Sequence, residues 1–323
     1  MSLILANNDH NHSIKPLKFF NEKSPILTTR FNTTGDYIAT GNSNKNITIW
    51  KVPDNKTNEN IIENIEYENY SHCFFKSAVT CLRWSSIDPN QIFASSADKS
   101  ISIIDLNKGL KIKTFKDNSI INEIHNSKKD LIVSCSDNDG VKGWDSRSKD
   151  PIFKIDSKYP VLTTCIDSNQ TRFYFSGIDP TINCYDLRKL DSPDWKEVNH
   201  TSSVTSLSMN QDESYIISKS LDASIKYYDS RLFIKGTRSK PYVFDGPTCS
   251  LDDLLIRCKI VNIDGKDLII SGSNDGFIYV WDFISRKLIQ RLDGHNGCSI
   301  DVDVFGNHLA SSSVGGELIL RSI

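Results

Sequence analysis

Residues 275–282 read DGFIYVWD, and this octapeptide decides the fold. Asp275 lies six residues before Trp281, Ile278 three before it and Val280 one before it. The frame recurs around Trp50, Ile104, Tyr185, Tyr228 and Arg321, and with one residue missing around Trp144. Three before these anchors stand Ile47, Ile101, Val141, Ile182, Ile225, Ile278 and Leu318, all aliphatic. One before them stand Ile49, Ile103, Gly143, Cys184, Tyr227, Val280 and Leu320. Successive anchors are 54, 40, 41, 43, 53 and 40 residues apart, a period that marks an array of repeated supersecondary units.

Side chains two apart on a strand share a face. The aliphatic pair therefore lines one face of its strand while the anchor packs on the other, and a strand apolar on both faces is sandwiched between neighbouring sheets. Upstream lies a turn carrying Asp98, Asp139, Asp179, Asp222 or Asp275, where a carboxylate can accept hydrogen bonds from the turn's own N–H groups. A strand bearing Thr40, Ser95, Ser134, Ser176, Ser218, Ser271 or Ser311 precedes the turn. Each unit reads as four short strands, the signature of a propeller blade. The sequence thus predicts an all-β chain, a single seven-bladed β-propeller over residues 14–323, with residues 1–13 a flexible N-terminal tail. The last repeat reaches Ile323 directly after its third strand, and IKPLKFF (14–20) reads as a strand without a repeat of its own. That N-terminal strand is expected to complete the seventh blade, closing the ring and removing two exposed sheet edges.

The 323 residues, 38% of them hydrophobic, suffice for a large core, and one all-β domain of this length is ordinary. A net charge of −2, with acidic and basic residues well mixed, argues against an autonomous electrostatic nucleic-acid binder. MSLILANNDHNHS (1–13) has neither a charged n-region nor a sustained apolar run, so no signal peptide is expected. No stretch approaches the ~20 apolar residues of a membrane span. The eight cysteines form no C-x-x-C pair, and Cys81, Cys135, Cys165, Cys184 and Cys258 fall in predicted strands. That suits reduced thiols packed as small apolar residues in the cytosol or nucleus. His10 and His12 read as tail rather than metal site. Serine-hydrolase elbow, zinc and phosphate-loop motifs do not occur, and the five turn carboxylates, one per blade, are not spaced as the ~5–10 Å pairs of glycosidases. No catalytic centre, metal or cofactor is expected.

Trp144-Asp145, Trp281-Asp282 and the Gly294-His295 turn resemble the WD-repeat family, over essentially the whole chain after residue 14. The stretches 159–189, 203–233, 254–258 and 279–295, and the long excursion between Leu232 and Asp253, resemble the branch of that family found in the spliceosome's U5 particle. The resemblance implies a nuclear, non-catalytic interaction scaffold in pre-mRNA splicing, a monomer within a larger complex. Its implied partners are the particle's large scaffold protein and its RNA helicase, with RNA met only indirectly. It also implies a buried His–Ser/Thr–Asp–Trp network bracing each blade, to which Asp98, Asp139, Asp179, Asp222, Asp275, Trp50, Trp144, Trp281 and His295 would belong. Here no blade carries every member. His295 faces a repeat with Gly315 at the Asp position, His200 can meet Ser218 and Asp222 but its anchor is Tyr228, and Asp275 and Trp281 have no Gly-His upstream. Incomplete networks predict weaker individual blades, compensated by apolar packing and closure.

Two features are candidate partner sites. Asp145-Ser-Arg147, Asp186-Leu-Arg188 and Asp229-Ser-Arg231 repeat an Arg at one position on three consecutive blades. Their guanidiniums could grip carboxylates or phosphates, although local pairing with the adjacent Asp is the favoured reading. Trp144 to Arg147 also resembles the motif by which WD-repeat substrate receptors dock on cullin-RING ubiquitin ligases, the alternative function. Insertions at 53–72, acidic and Asn-rich, and 234–241, basic, interrupt the period. The second, with Phe233, Lys235, Arg238, Lys240, Tyr242 and Phe244, is the better candidate for an anchored contact. A third reading, a peptide reader using the central opening, has no specific residues behind it.

Overall fold

The computed structural model describes residues 16–52, 72–73, 75–230, 243–245 and 254–323. The expected tail (1–13), nearly all of the first insertion and the whole of the second lie outside these residues. Among the described residues the chain forms twenty-eight strands, numbered in chain order, in seven four-stranded antiparallel sheets. Residues 26–73, 79–116, 121–155, 161–198, 204–245 and 258–292 supply blades 1 to 6. Blade 7 combines residues 299–322 with β1 (Pro16–Asn21). As expected from the sequence, β1 pairs antiparallel with β28 (Glu317–Ser322), Phe19 opposite Ile319 and Phe20 opposite Leu318.

The first strand of each blade is innermost: β2 (Ile26–Phe31), β6 (Val79–Trp84), β10 (Ile121–Asn126), β14 (Val161–Ile166), β18 (Val204–Met209), β22 (Cys258–Ile263) and β26 (Ser299–Phe305). Each packs against the next and β26 returns to β2, so the ring is closed.

The core lies between blades, as the two-faced strand pattern requires. Ile47 and Ile49 pack forward with Leu82, Trp84 and Ile92 of blade 2. Trp50 turns back to Ala310, Leu318 and Leu320 of blade 7 and to Phe20 of the closing strand. The arrangement repeats: Ile101 and Ile103 meet Ile124, Ile132 and Trp144 of blade 3, and Ile182 and Cys184 meet Val204, Ile216 and Tyr228 of blade 5. Each such side chain, fully buried, contributes roughly 1.5–3 kcal/mol.

Two irregular copies of the frame have physical causes. At Gly143 a Cβ would run into the ring of Phe153, which crosses from the outer strand to fill that place. At the seventh anchor Arg321 is 1% exposed. Its guanidinium donates to Ser311 Oγ at 3.3 Å and to the carbonyl of Asp293, while Trp144 and Trp50 use their indole N–H groups on Ser134 and Thr40, each at 2.9 Å. The arginine does the indole's work by donating to the same hydroxyl. Cys81, Cys135, Cys165, Cys184, Cys258 and Cys298 are free and buried.

Candidate functional site

The innermost strands have one edge with no strand beside it, and its N–H and C=O groups would be unsatisfied without help. Side chains of the neighbouring blade supply partners at six of the seven seams, and a backbone bond with a side-chain ion pair joins the seventh. Thr28 Oγ1 accepts from Leu82 N at 3.4 Å, and Arg83 Nε donates to Ile124 O at 3.1 Å. Glu123 accepts from Thr163 Oγ1 at 2.7 Å and Thr164 N at 3.2 Å. Thr163 accepts from Leu207 N at 2.9 Å and Ser206 from Cys258 N at 3.2 Å. Between blades 6 and 7, Arg257 N donates to Ile300 O at 2.7 Å, and Lys259 pairs with Asp303. At the closing seam Asp301 accepts from Thr29 N at 2.9 Å and Asp303 from Phe31 N at 2.7 Å.

Some of these residues line a central cavity of about 250 Å³, walled by Arg30, Arg83, Glu123, His125, Arg257, Lys259, Asp301 and Asp303 among others. Charges are shared across it. Arg30 meets Asp301 at 2.6 Å, Arg257 meets Asp301 at 3.6 Å and Glu123 at 4.0 Å, and Arg83 meets Glu123 at 3.1 Å. Burial opposes ionisation of Asp301, but Arg30 and Arg257 outweigh it and hold its pKa below the usual carboxylate range. Burial, helped by Arg83, pushes His125 well below its ordinary value, leaving it neutral. Sequence reasoning missed this belt. Counting from the first residue of six of the seven inner strands, positions two and four residues on are Thr28 and Arg30, Cys81 and Arg83, Glu123 and His125, Thr163 and Cys165, Ser206 and Ser208, and Asp301 and Asp303. A polar residue at one or both of those positions was the available signal.

The blade-bracing residues sit as follows. His200 meets Ser218 Oγ through Nε2 at 2.6 Å and Asp222 through Nδ1 at 2.9 Å. Although burial opposes it, His200 and Ser224 draw Asp222 far below the usual range. His295 meets Ser311 Oγ at 2.8 Å. The carboxylate missing at Gly315 comes from Glu317, 3.4 Å from His295 Nδ1 and accepting from Asn296 N at 2.8 Å. In blade 1, Glu22 stands where a histidine would and accepts from Thr40 Oγ1 at 2.8 Å. Asp98, Asp179 and Asp275 accept backbone N–H groups from Lys76, Thr181 and Phe277 at 2.9–3.1 Å. Asp139 differs. In its shortened turn it pairs with Lys142 at 2.8 Å, and Lys142 also reaches Asp117 at 2.6 Å.

Arg147 and Arg188 each fold back on the Asp two residues earlier, at 2.6 Å and 2.5 Å, with side chains 88% and 77% exposed. Their hydrogen bonds lower Asp145 and Asp186 to about 2. Arg231, Phe233, Lys235, Arg238, Lys240 and Tyr242 lie outside the described residues. Among the described residues no cluster of His, Cys, Asp and Glu is arranged to hold a metal ion. No helix of the described residues is long and apolar enough to cross a membrane.

The WD domain, G-beta repeat model matches residues 14–51, 67–105, 195–229 and 257–282. The U5 small nuclear ribonucleoprotein 40 kDa protein of Dictyostelium discoideum is 30% identical over 312 residues, covering 95% of this chain and 84% of that protein. The chain belongs to the WD-repeat family. Among other relatives, the pre-mRNA-splicing factor cwf17 of Schizosaccharomyces pombe is 28% identical over 94% of this chain and 84% of its own length. The COMPASS component SWD3 of Saccharomyces cerevisiae is 28% identical over 74% of this chain and 80% of its own.

Proposed function

We propose that this WD-repeat protein is a non-catalytic interaction scaffold acting in pre-mRNA splicing as part of the U5 particle. The observation that carries the reading is likeness along nearly the whole propeller to two relatives named for U5 and for splicing. The fold suits the role. A ring whose seven seams are each hydrogen-bonded loses little conformational entropy on docking, so contacts yield more net affinity. The protein acts in the nucleus as a monomer within the particle, and its partners are the large U5 scaffold protein and the U5 helicase, with RNA held through them. Affinity purification of the tagged protein from nuclear extract, read by RNA sequencing and mass spectrometry, tests this. Recovery of U5 RNA with splicing proteins is expected. Recovery of a ubiquitin-ligase adaptor without U5 RNA would replace the reading with the substrate-receptor alternative.

A further inference from the structure

The central cavity has a charge imbalance that the clasp between blades does not need. Its wall carries four cations, Arg30, Arg83, Arg257 and Lys259, against three carboxylates, Glu123, Asp301 and Asp303. Lys259 takes Asp303, so three guanidiniums divide two carboxylates among them. One positive charge is left over on the wall of this partly open cavity. A second observation is independent of that count. Arg30 is 8% exposed, and its Nε–H, fully buried, has no acceptor among the described residues. A buried donor on a charged group without an acceptor bears its full desolvation penalty, and a guanidinium fork is shaped to hold an oxyanion. Half-buried Arg83 and Lys259 give the cavity access to solvent. Its volume of about 250 Å³ equals roughly eight waters at ~30 Å³ each, room for one tetrahedral or planar oxyanion with part of its hydration.

We propose that the cavity is a binding site for a single oxyanion group, a phosphate or a carboxylate, held between Arg30 and Arg257. Such a ligand ties blades 1 and 6 to the closing seam and stabilises the closed ring by mass action. Thermal unfolding of the full chain in inorganic phosphate, against sodium chloride of equal ionic strength, is the test, with acetate as a parallel arm. Phosphate is expected to raise the midpoint by several degrees in a saturable manner. Equal effects of the two assign the site to either oxyanion, a larger acetate effect assigns it to carboxylates, and a phosphate effect alone assigns it to phosphoryl groups. Arg30→Lys keeps the charge opposite Asp301 but removes the Nε–H, and it should cut the phosphate effect at least tenfold in apparent affinity. Lys149→Gln, on the outer surface, should leave it intact. No anion-specific shift, or one unchanged in Arg30→Lys, overturns the assignment. Should Arg30→Lys fail to fold, crystals of the wild-type chain soaked in selenate decide the matter: anomalous signal between Arg30 and Arg257 supports the site, and its absence there overturns it.

Discussion

Arg30 and Asp301, 271 residues apart in the chain, meet at 2.6 Å across the seam between the first and last blades. The Asp301 side chain is fully buried, and it also accepts Thr29 N at 2.9 Å. A buried pair of this kind adds little net stability over an apolar substitute, but breaking it from one side strands a charge at a cost of about 3–5 kcal/mol.

Asp301→Asn is therefore expected to lower the unfolding free energy by about 3–5 kcal/mol in urea, whereas Arg30→Met with Asp301→Leu should recover only part of that loss, because Thr29 N and Arg257 still lose their acceptor. A double-mutant cycle showing simple additivity would mean that the two residues act separately.

Acid should weaken the fold through its buried histidines. Burial, and then the charge of Arg321, lowers His295 to about 4, with Glu317 pulling the other way, and His125 is shifted in the same direction. Between pH ~6.5 and ~4 the unfolded chain binds a proton at each position that the folded chain refuses, so stability falls as pH falls. For His295 the loss is at most about 3 kcal/mol. Urea midpoints measured from pH 7 to pH 4.5 should show this slope, and His295→Gln should flatten it.

Gly143→Ala should displace the Phe153 ring and cost about 1–3 kcal/mol, as overpacking does. Adding Phe153→Leu should relieve part of the cost. Equal stability of Gly143→Ala and wild type in a thermal melt would show that the ring can move aside freely.

Arg147→Asp should leave the melting temperature nearly unchanged, because the pair it breaks with Asp145 is exposed and such pairs contribute little. On the splicing reading, recovery of U5 RNA by the variant is also unchanged. A selective loss of a ligase adaptor would place the partner on this turn.

The repeat, the blade number and the closing strand were legible because strand alternation writes itself into sequence with period two and each blade must bury both faces. Arg321 was already legible as the seventh anchor, but its bond to Asp293 and the use of Glu317 in place of an aspartate were not, since each partner, Asp293 or His295, comes from the preceding connection. The channel was the least legible part. Arg30, Glu123, Arg257 and Asp301 become neighbours only when the ring closes, and in a linear reading each is one more charge in a well-mixed sequence.

Closure by β1 is the claim on which the rest depends, and removing residues 1–21 tests it most directly. Phe20 lies 4.5 Å, centroid to centroid, from Trp50, and its loss alone is worth about 3–5 kcal/mol. With a shift of about 2–4 °C per kcal/mol, the truncated chain should melt at least about 6 °C below the intact one. Hydrogen exchange at Leu318, Ile319 and Leu320 should rise with it. An unchanged melting temperature and unchanged protection of those amides would contradict a ring latched by its own first strand.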